Sequence, residues 1–247
     1  MASSNSSARL VYFHGQPGGP GEWQACAPAG LLAFTPDRNA GVDAGNLAAQ
    51  IVSRCADGPL TLIGFSLGAP VALAVARRLG ERAAHIHLVS PAAPLALGNF
   101  LDTMAGGTLF RLARSWPSLF GLAARLQGLL ARTAPLFLLD RLFAAAAGDD
   151  RPLSRDPAFR QAMADVLREG LGRSSRGFIA EVTAYARGQP DLTLGNTPVT
   201  IWQGDADNWT PPAMARALAE ALPGPVTLNL LPGCSHYSTL RAALARL

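Results

Sequence analysis

The chain has 247 residues, 49% hydrophobic and 15% charged, which is too apolar for a disordered polymer and long enough for one large domain or a core with one insertion. All 21 basic side chains are arginine, and the lack of lysine excludes Schiff-base aldolases, PLP enzymes, P-loop nucleotide hydrolases and Ser–Lys dyads. The net charge of +4 is scattered rather than gathered in a run, so nucleic acid is not expected as a partner.

Met1 to Ser7 is Ser-rich, lacks the apolar region of a secretory signal and reads as a loose tail. Three cysteines (Cys26, Cys55, Cys234) without CxxC spacing offer neither a disulfide framework nor a metal site, and they fit a reducing, cytoplasmic setting. Arg9–Phe13 and Leu31–Thr35 read as strands, Asp43–Cys55 as a helix with Leu47, Ile51 and Val52 on one face, and Leu60–Ile63 as a buried strand. Leu67–Leu79 is predicted helical and His85–Ser90 a strand. The uncharged stretches Gly58–Ala76 and Ala83–Leu101 each contain two prolines and internal polar or Gly breaks, so no membrane span is expected.

From residue 92 to about 190 the pattern is helix after helix: Leu101–Arg114, Ser118–Arg132, Pro135–Ala147, Pro157–Leu171 and Arg176–Arg187. Alternation then resumes with a strand Val199–Gln203, a helix Pro212–Ala221 and a strand Val226–Leu231. This order predicts an α/β core of about six mostly parallel strands, split into residues 1–91 and 191–247 by an all-helical insertion at 92–190.

Gly64-Phe65-Ser66-Leu67-Gly68 is a G-x-S-x-G pentapeptide. An apolar strand runs into it and an Ala/Val-rich helix runs out, the strand-to-helix turn that holds a serine hydroxyl exposed on a strained bend. Gly64 and Gly68 fit places where strand and helix cross too closely for a side chain. The helix N-terminus lies where an oxyanion would develop. The bland alternative makes Ser66 an ordinary helix N-cap.

On these residues the chain resembles the α/β-hydrolase superfamily over nearly its whole length, without the usual first two strands. His14-Gly15-Gln16-Pro17-Gly18 is similar to the family's HG-x loop, and the resemblance implies backbone N–H groups of Gln16 and Leu67 as the oxyanion hole. His14 itself is expected to support the loop. The stretch is also similar to the loop of proline iminopeptidases, whose elbow usually has Trp after the serine where this chain has Leu67.

A serine hydroxyl needs a base, and the base needs an acid to fix its tautomer. His85 and His87 flank Ile86 in a strand and read as framework. His236, in Pro232-Gly233-Cys234-Ser235-His236, is similar to the family's final Gly-rich loop, which brings the base over the nucleophile. Gly204-Asp205-Ala206-Asp207, with Pro211 beyond, matches the family's Gly-x-x-Asp turn at Asp207. Asp205 is the competing acid. Cys234 lacks an elbow and reads as a small packed residue.

The expected reaction is acyl transfer from an ester, thioester or amide of a small apolar substrate to water, with no cofactor and no metal. Serine rather than aspartate at the elbow argues against dehalogenase or epoxide-hydrolase chemistry. Alternatives are C–C cleavage, a lyase or cyclase using the same triad, or a non-catalytic binding protein. Leu119, Phe120, Leu136, Phe137, Leu138, Leu142 and Phe143 are expected on the inner faces of cap helices, some of them over Ser66.

Overall fold

A computed structural model describes residues 9–39, 41–188 and 191–247. The Met1–Ser7 tail lies outside them. The chain runs β1 (Leu10–Phe13), α1 (Gly21–Cys26), α2 (Ala44–Arg54), β2 (Leu60–Phe65), α3 (Gly68–Leu79) and β3 (Ala83–Val89). Six helices follow: α4 (Gly107–Ser115), α5 (Pro117–Thr133), α6 (Pro135–Leu142), α7 (Asp150–Leu153), α8 (Pro157–Glu169) and α9 (Arg176–Arg187). β4 (Val199–Gly204), α10 (Pro212–Ala221), β5 (Val226–Leu231) and α11 (His236–Leu244) complete it.

The five strands form one parallel sheet in the order β1-β2-β3-β4-β5, with Phe13 opposite Gly64, Gly64 opposite Leu88 and Val89 opposite Trp202. The near-continuous apolar run of β2 fits a strand buried on both faces. Helix α3 packs on β1, β2 and β3, α10 on β4 and β5, and α11 on β3 and β4. The two uncharged stretches are thus strand–turn–helix and strand–loop. No helix among the described residues is long and apolar enough to cross a membrane.

Among the described residues the sheet has five strands, not about six. Leu31–Thr35 contributes a single parallel bridge between Phe34 and Val11, because Pro28 and Pro36 bracket it and remove ladder donors. The predicted helix from Leu101 starts only at Gly107. Ala105 donates to the Asn208 carbonyl at 2.8 Å, and the Gly106-Gly107 pair disfavours an earlier start. The predicted Pro135–Ala147 helix tightens after Leu142 into a 3₁₀ turn, Phe143–Ala145. Helix α11 was not predicted, so His236 stands at the first position of a helix rather than within a loop.

At the crossing of β2 and α3 the glycines are steric necessities. A Cβ at Gly68 would overlap the Phe13 carbonyl oxygen, and one at Gly64 would lie 2.7 Å from Ala69 Cα. Gly68→Ala is therefore expected to destabilise the fold by about 3 kcal/mol, the upper range for overpacking. Chemical denaturation measures this, and a midpoint equal to wild type would contradict it.

Candidate active site

The turn between β2 and α3 places Ser66 in the left-handed region, φ +53°, unusual for a residue with a side chain. The bend is tied down on both sides: Ser66 N–H donates to the Val89 carbonyl, and the Ser66 carbonyl accepts from Ala69 and Ala92 N–H. The residue capping α3 is Leu67, without a side-chain cap, so Ser66 does not serve as the N-cap.

Ser66, Gln16 and Leu67 come together on one cavity of about 170 Å³, together with Pro17, Trp209 and Thr210. Residues between β3 and β4 complete its wall, among them Met104, Leu109, Phe110 and Leu142. Neither the Gln16 nor the Leu67 backbone N–H is engaged by another carbonyl among the described residues, and Leu67 opens the N-terminus of α3. These are free donors in a place suited to a developing negative charge.

The structure also brings His236 and Asp207 together. Asp207 Oδ2 lies 2.9 Å from His236 Nδ1, with both residues buried. The other oxygen, Oδ1, accepts from the backbone N–H of Trp209 at 2.9 Å and Thr210 at 3.0 Å, which fixes the carboxylate. Asp205 is exposed and instead accepts from Gly233 N–H at 2.8 Å. The imidazole is held between aromatic rings, with Trp209 stacked on it at 5.3 Å and Phe65 at 4.6 Å. No Ser66–His236 hydrogen bond forms among the described residues; Phe65, the neighbour of Ser66, is the contact to the ring. Such bonds often tighten only with substrate in place.

Burial alone would lower the His236 pKa, but the Asp207 charge and hydrogen bond, with Asp150 and Glu22 further away, outweigh it and raise it above 6.5. Burial would raise Asp207. The facing imidazole and the Thr210 N–H hold it below the usual carboxylate value. The pair therefore favours carboxylate beside a ring eager for a proton.

Three buried charged residues that sequence reasoning missed brace this arrangement. Glu22 Oε2 accepts from Tyr12 Oη at 2.7 Å and from Gly15 N–H at 2.8 Å, pinning the residue before Gln16. Arg38 Nη2 donates to the His14 carbonyl at 2.6 Å, and its Nε stands 3.4 Å from Glu181 on α9. His14 is buried, with its pKa driven well below 6.5 by burial and by Arg38, which suits a framework role. Asp150 accepts from the backbone N–H of Tyr237 at 3.0 Å and Ser238 at 2.7 Å, satisfying orphan donors in the first turn of α11, which begins with His236. Truncation at Glu22 should orphan two buried donors. Glu22→Ala is expected to cost about 2 kcal/mol or more, and Glu22→Gln, which keeps an acceptor, less. Equal unfolding midpoints for the two variants would refute this.

The remaining histidines stack on each other at 4.5 Å, His85 beside Thr200 Oγ1 and His87 accepting from Trp202 Nε1, and share no hydrogen bond with Asp207 or His236. Burial raises the Cys234 thiol pKa, and the carboxylates of Asp149 and Asp150 add to the rise, which disfavours the thiolate. Among the described residues no cluster of His, Cys, Asp or Glu could ligate a metal ion. Of the apolar side chains expected on inner faces of the inserted helices, Phe120, Leu138 and Phe143 are buried and Leu142 lines the Ser66 cavity. Leu119, Leu136 and Phe137 are instead exposed, because they lie on the side of α5 and α6 away from the core.

Comparison with known proteins places the chain in a family. Solved structures that match along nearly the whole chain include a bromoperoxidase from Bacillus anthracis, with TM-score 0.64 and 20% identity, covering 98% of this chain and 92% of that one. An esterase from Exiguobacterium antarcticum matches with TM-score 0.58 and 17% identity, over 98% and 93% of the two chains. An α/β hydrolase fold protein from Nakamurella multipartita matches at 0.59 and 20%, over 97% and 92%. At these identities the likeness shows the fold alone. No curated protein matches significantly in sequence. The family model described as serine aminopeptidase, S33, matches residues 37–240, most of the chain, and the chain belongs to this family of α/β hydrolases.

Proposed function

We propose that the protein is a serine hydrolase that transfers the acyl group of a small, apolar carboxylic ester to water. Ser66 is the nucleophile, His236 the general base, Asp207 the orienting acid, and the Gln16 and Leu67 backbone N–H groups the oxyanion hole. The observation that carries this reading is the buried 2.9 Å Asp207–His236 bond, joined through Phe65 to a serine strained at φ +53° on the wall of a cavity.

In the reaction, Ser66 Oγ attacks the carbonyl carbon while its proton passes to His236 Nε2. Asp207 keeps the proton of His236 on Nδ1, so Nε2 is free to accept. The carbonyl oxygen gains charge and is met by the two free N–H groups. His236 returns the proton to the leaving alcohol, and a water activated by the same ring hydrolyses the acyl-enzyme. Residues 92–190 serve as a lid whose Leu109, Phe110 and Leu142 receive the apolar part of the substrate. Thioesters fit the same chemistry, and the unpaired thiols Cys26, Cys55 and Cys234 suit a cytoplasmic setting.

An aminopeptidase would need a carboxylate to meet the substrate ammonium. The residues lining the Ser66 cavity include none and offer Arg141 instead, while Glu181, on a neighbouring cavity, already faces Arg38. Side-by-side assay of a p-nitrophenyl acyl ester and an aminoacyl p-nitroanilide tests the reading. Turnover of the ester and neglect of the anilide is expected. The reverse preference, or binding of intact ester without turnover, would overturn it.

A further inference from the structure

The helices between β3 and β4 carry an apolar surface that nothing among the described residues covers. Seven of the eleven large hydrophobic side chains left exposed by the described residues fall between 116 and 137. Leu119, Leu122, Leu126 and Leu129 recur along α5 at steps of three and four residues, so they share one face, with Trp116 just before its first turn. The opposite face, Phe120, Ala124, Gly128 and Ala131, is buried. Leu136 and Phe137 extend the exposed surface into the first turn of α6. Helix α5 is therefore apolar on both sides, although its 17 residues and its arginines do not make a membrane span.

Between Asp102 and Asp140, the latter paired with Arg160 at 2.7 Å, the charge along this stretch has one sign. From residue 103 to 139 the sequence holds four arginines and no acidic residue. Arg111 is paired with Asp102, whereas Arg125 and Arg132 are exposed, form no ion pair among the described residues and border the leucine face along one edge. We propose that this face docks on an anionic lipid surface, with the leucines at the headgroup–acyl boundary and the arginines at the phosphates. Apolar face, basic border and exposed tryptophan are the features that an in-plane helix uses at such a boundary. A second copy of the chain is a poorer occupant. Pairing this face with itself would bring the two Arg-bordered edges together, with no carboxylate between residues 103 and 139 to offset them and the next one, Asp140, already held by Arg160. Helix α5 packs against α4 and α6, which line the Ser66 cavity through Leu109, Phe110 and Leu142. Docking would thus hold that cavity near the phase in which apolar esters dissolve, but it does not depend on the chemistry proposed for Ser66.

The test is co-sedimentation of the full chain with vesicles of phosphatidylcholine, with and without phosphatidylglycerol. Binding to the anionic vesicles is expected, weakened by salt and by omission of phosphatidylglycerol. The double variant Arg125→Gln/Arg132→Gln should bind roughly 30-fold more weakly. Leu122→Ser/Leu126→Ser should bind roughly 100-fold more weakly, from the lost apolar contact. Unchanged thermal unfolding of both variants verifies that they fold. Failure to bind anionic vesicles, binding indifferent to lipid charge, or variants that bind like wild type would overturn the proposal. So would light scattering that finds a wild-type dimer made monomeric by Leu122→Ser/Leu126→Ser, since a second copy would then be the occupant.

Discussion

Ser66→Ala and His236→Ala are each expected to lower kcat on a chromogenic short-chain ester by about 10⁶-fold, and the double variant to lose little more. In the proposed mechanism the two side chains perform one act: the hydroxyl attacks only as the imidazole takes its proton, so removing either should forfeit the whole step. A residual rate of about 10³-fold over water should survive in all three variants, supplied by the Gln16 and Leu67 donors and by substrate positioning. Multiplicative losses, or a single variant within about tenfold of wild type, would show that the two do not act as a unit.

Asp207→Asn should lower kcat by about 10⁴-fold, the scale of losing the correct imidazole tautomer, while Asp205→Asn should change it by no more than about twofold. The contrast follows from geometry, since Asp207 meets His236 Nδ1 at 2.9 Å and Asp205 is occupied with Gly233 N–H on the exposed side of the turn. The pH profile carries a second signature. In the proposed mechanism only neutral imidazole can accept the Ser66 proton, so kcat/KM should fall on the acid side as His236 protonates. Its pKa is raised above 6.5, chiefly by Asp207 working against burial, and the acid limb of the wild type should lie above that value. In Asp207→Asn the charge that raised it is gone while burial remains, so the limb should move to lower pH. A limb that stays in place would mean that Asp207 does not set the ionisation of the base.

Much of this site could be read from short stretches of sequence because its parts are locally encoded. The Ser66 elbow is made by five consecutive residues whose glycines are required by the strand–helix crossing. The Gly204–Asp207 turn and the Gly233–His236 stretch each follow a strand end. What could not be read depends on contacts between distant residues. Arg38 reaches His14 across 24 positions, and Asp150 caps the His236 helix from 87 positions away. Each is an ordinary polar residue until the fold buries it. Glu22 is one acid among many in the sequence, and only burial against Tyr12, Gly15 and Tyr237 reveals its work.

Misreadings of the fold have the same origin. Leu31–Thr35 has strand composition, but Pro28 and Pro36 beside it leave one bridge at Phe34. Leu119, Leu136 and Phe137 have the composition of inner cap faces, yet hydrophobic periodicity fixes which residues share a face without saying what covers it.

Labelling with a fluorophosphonate, followed by peptide mass mapping, is the decisive measurement, because the reagent phosphonylates a serine efficiently where a base takes its proton and donors stabilise the phosphoryl oxygen as it gains charge during loss of fluoride. A single adduct on Ser66 is expected, slowed in Asp207→Asn and absent from Ser66→Ala and His236→Ala. An adduct on another serine, or labelling that persists in Ser66→Ala, would contradict it.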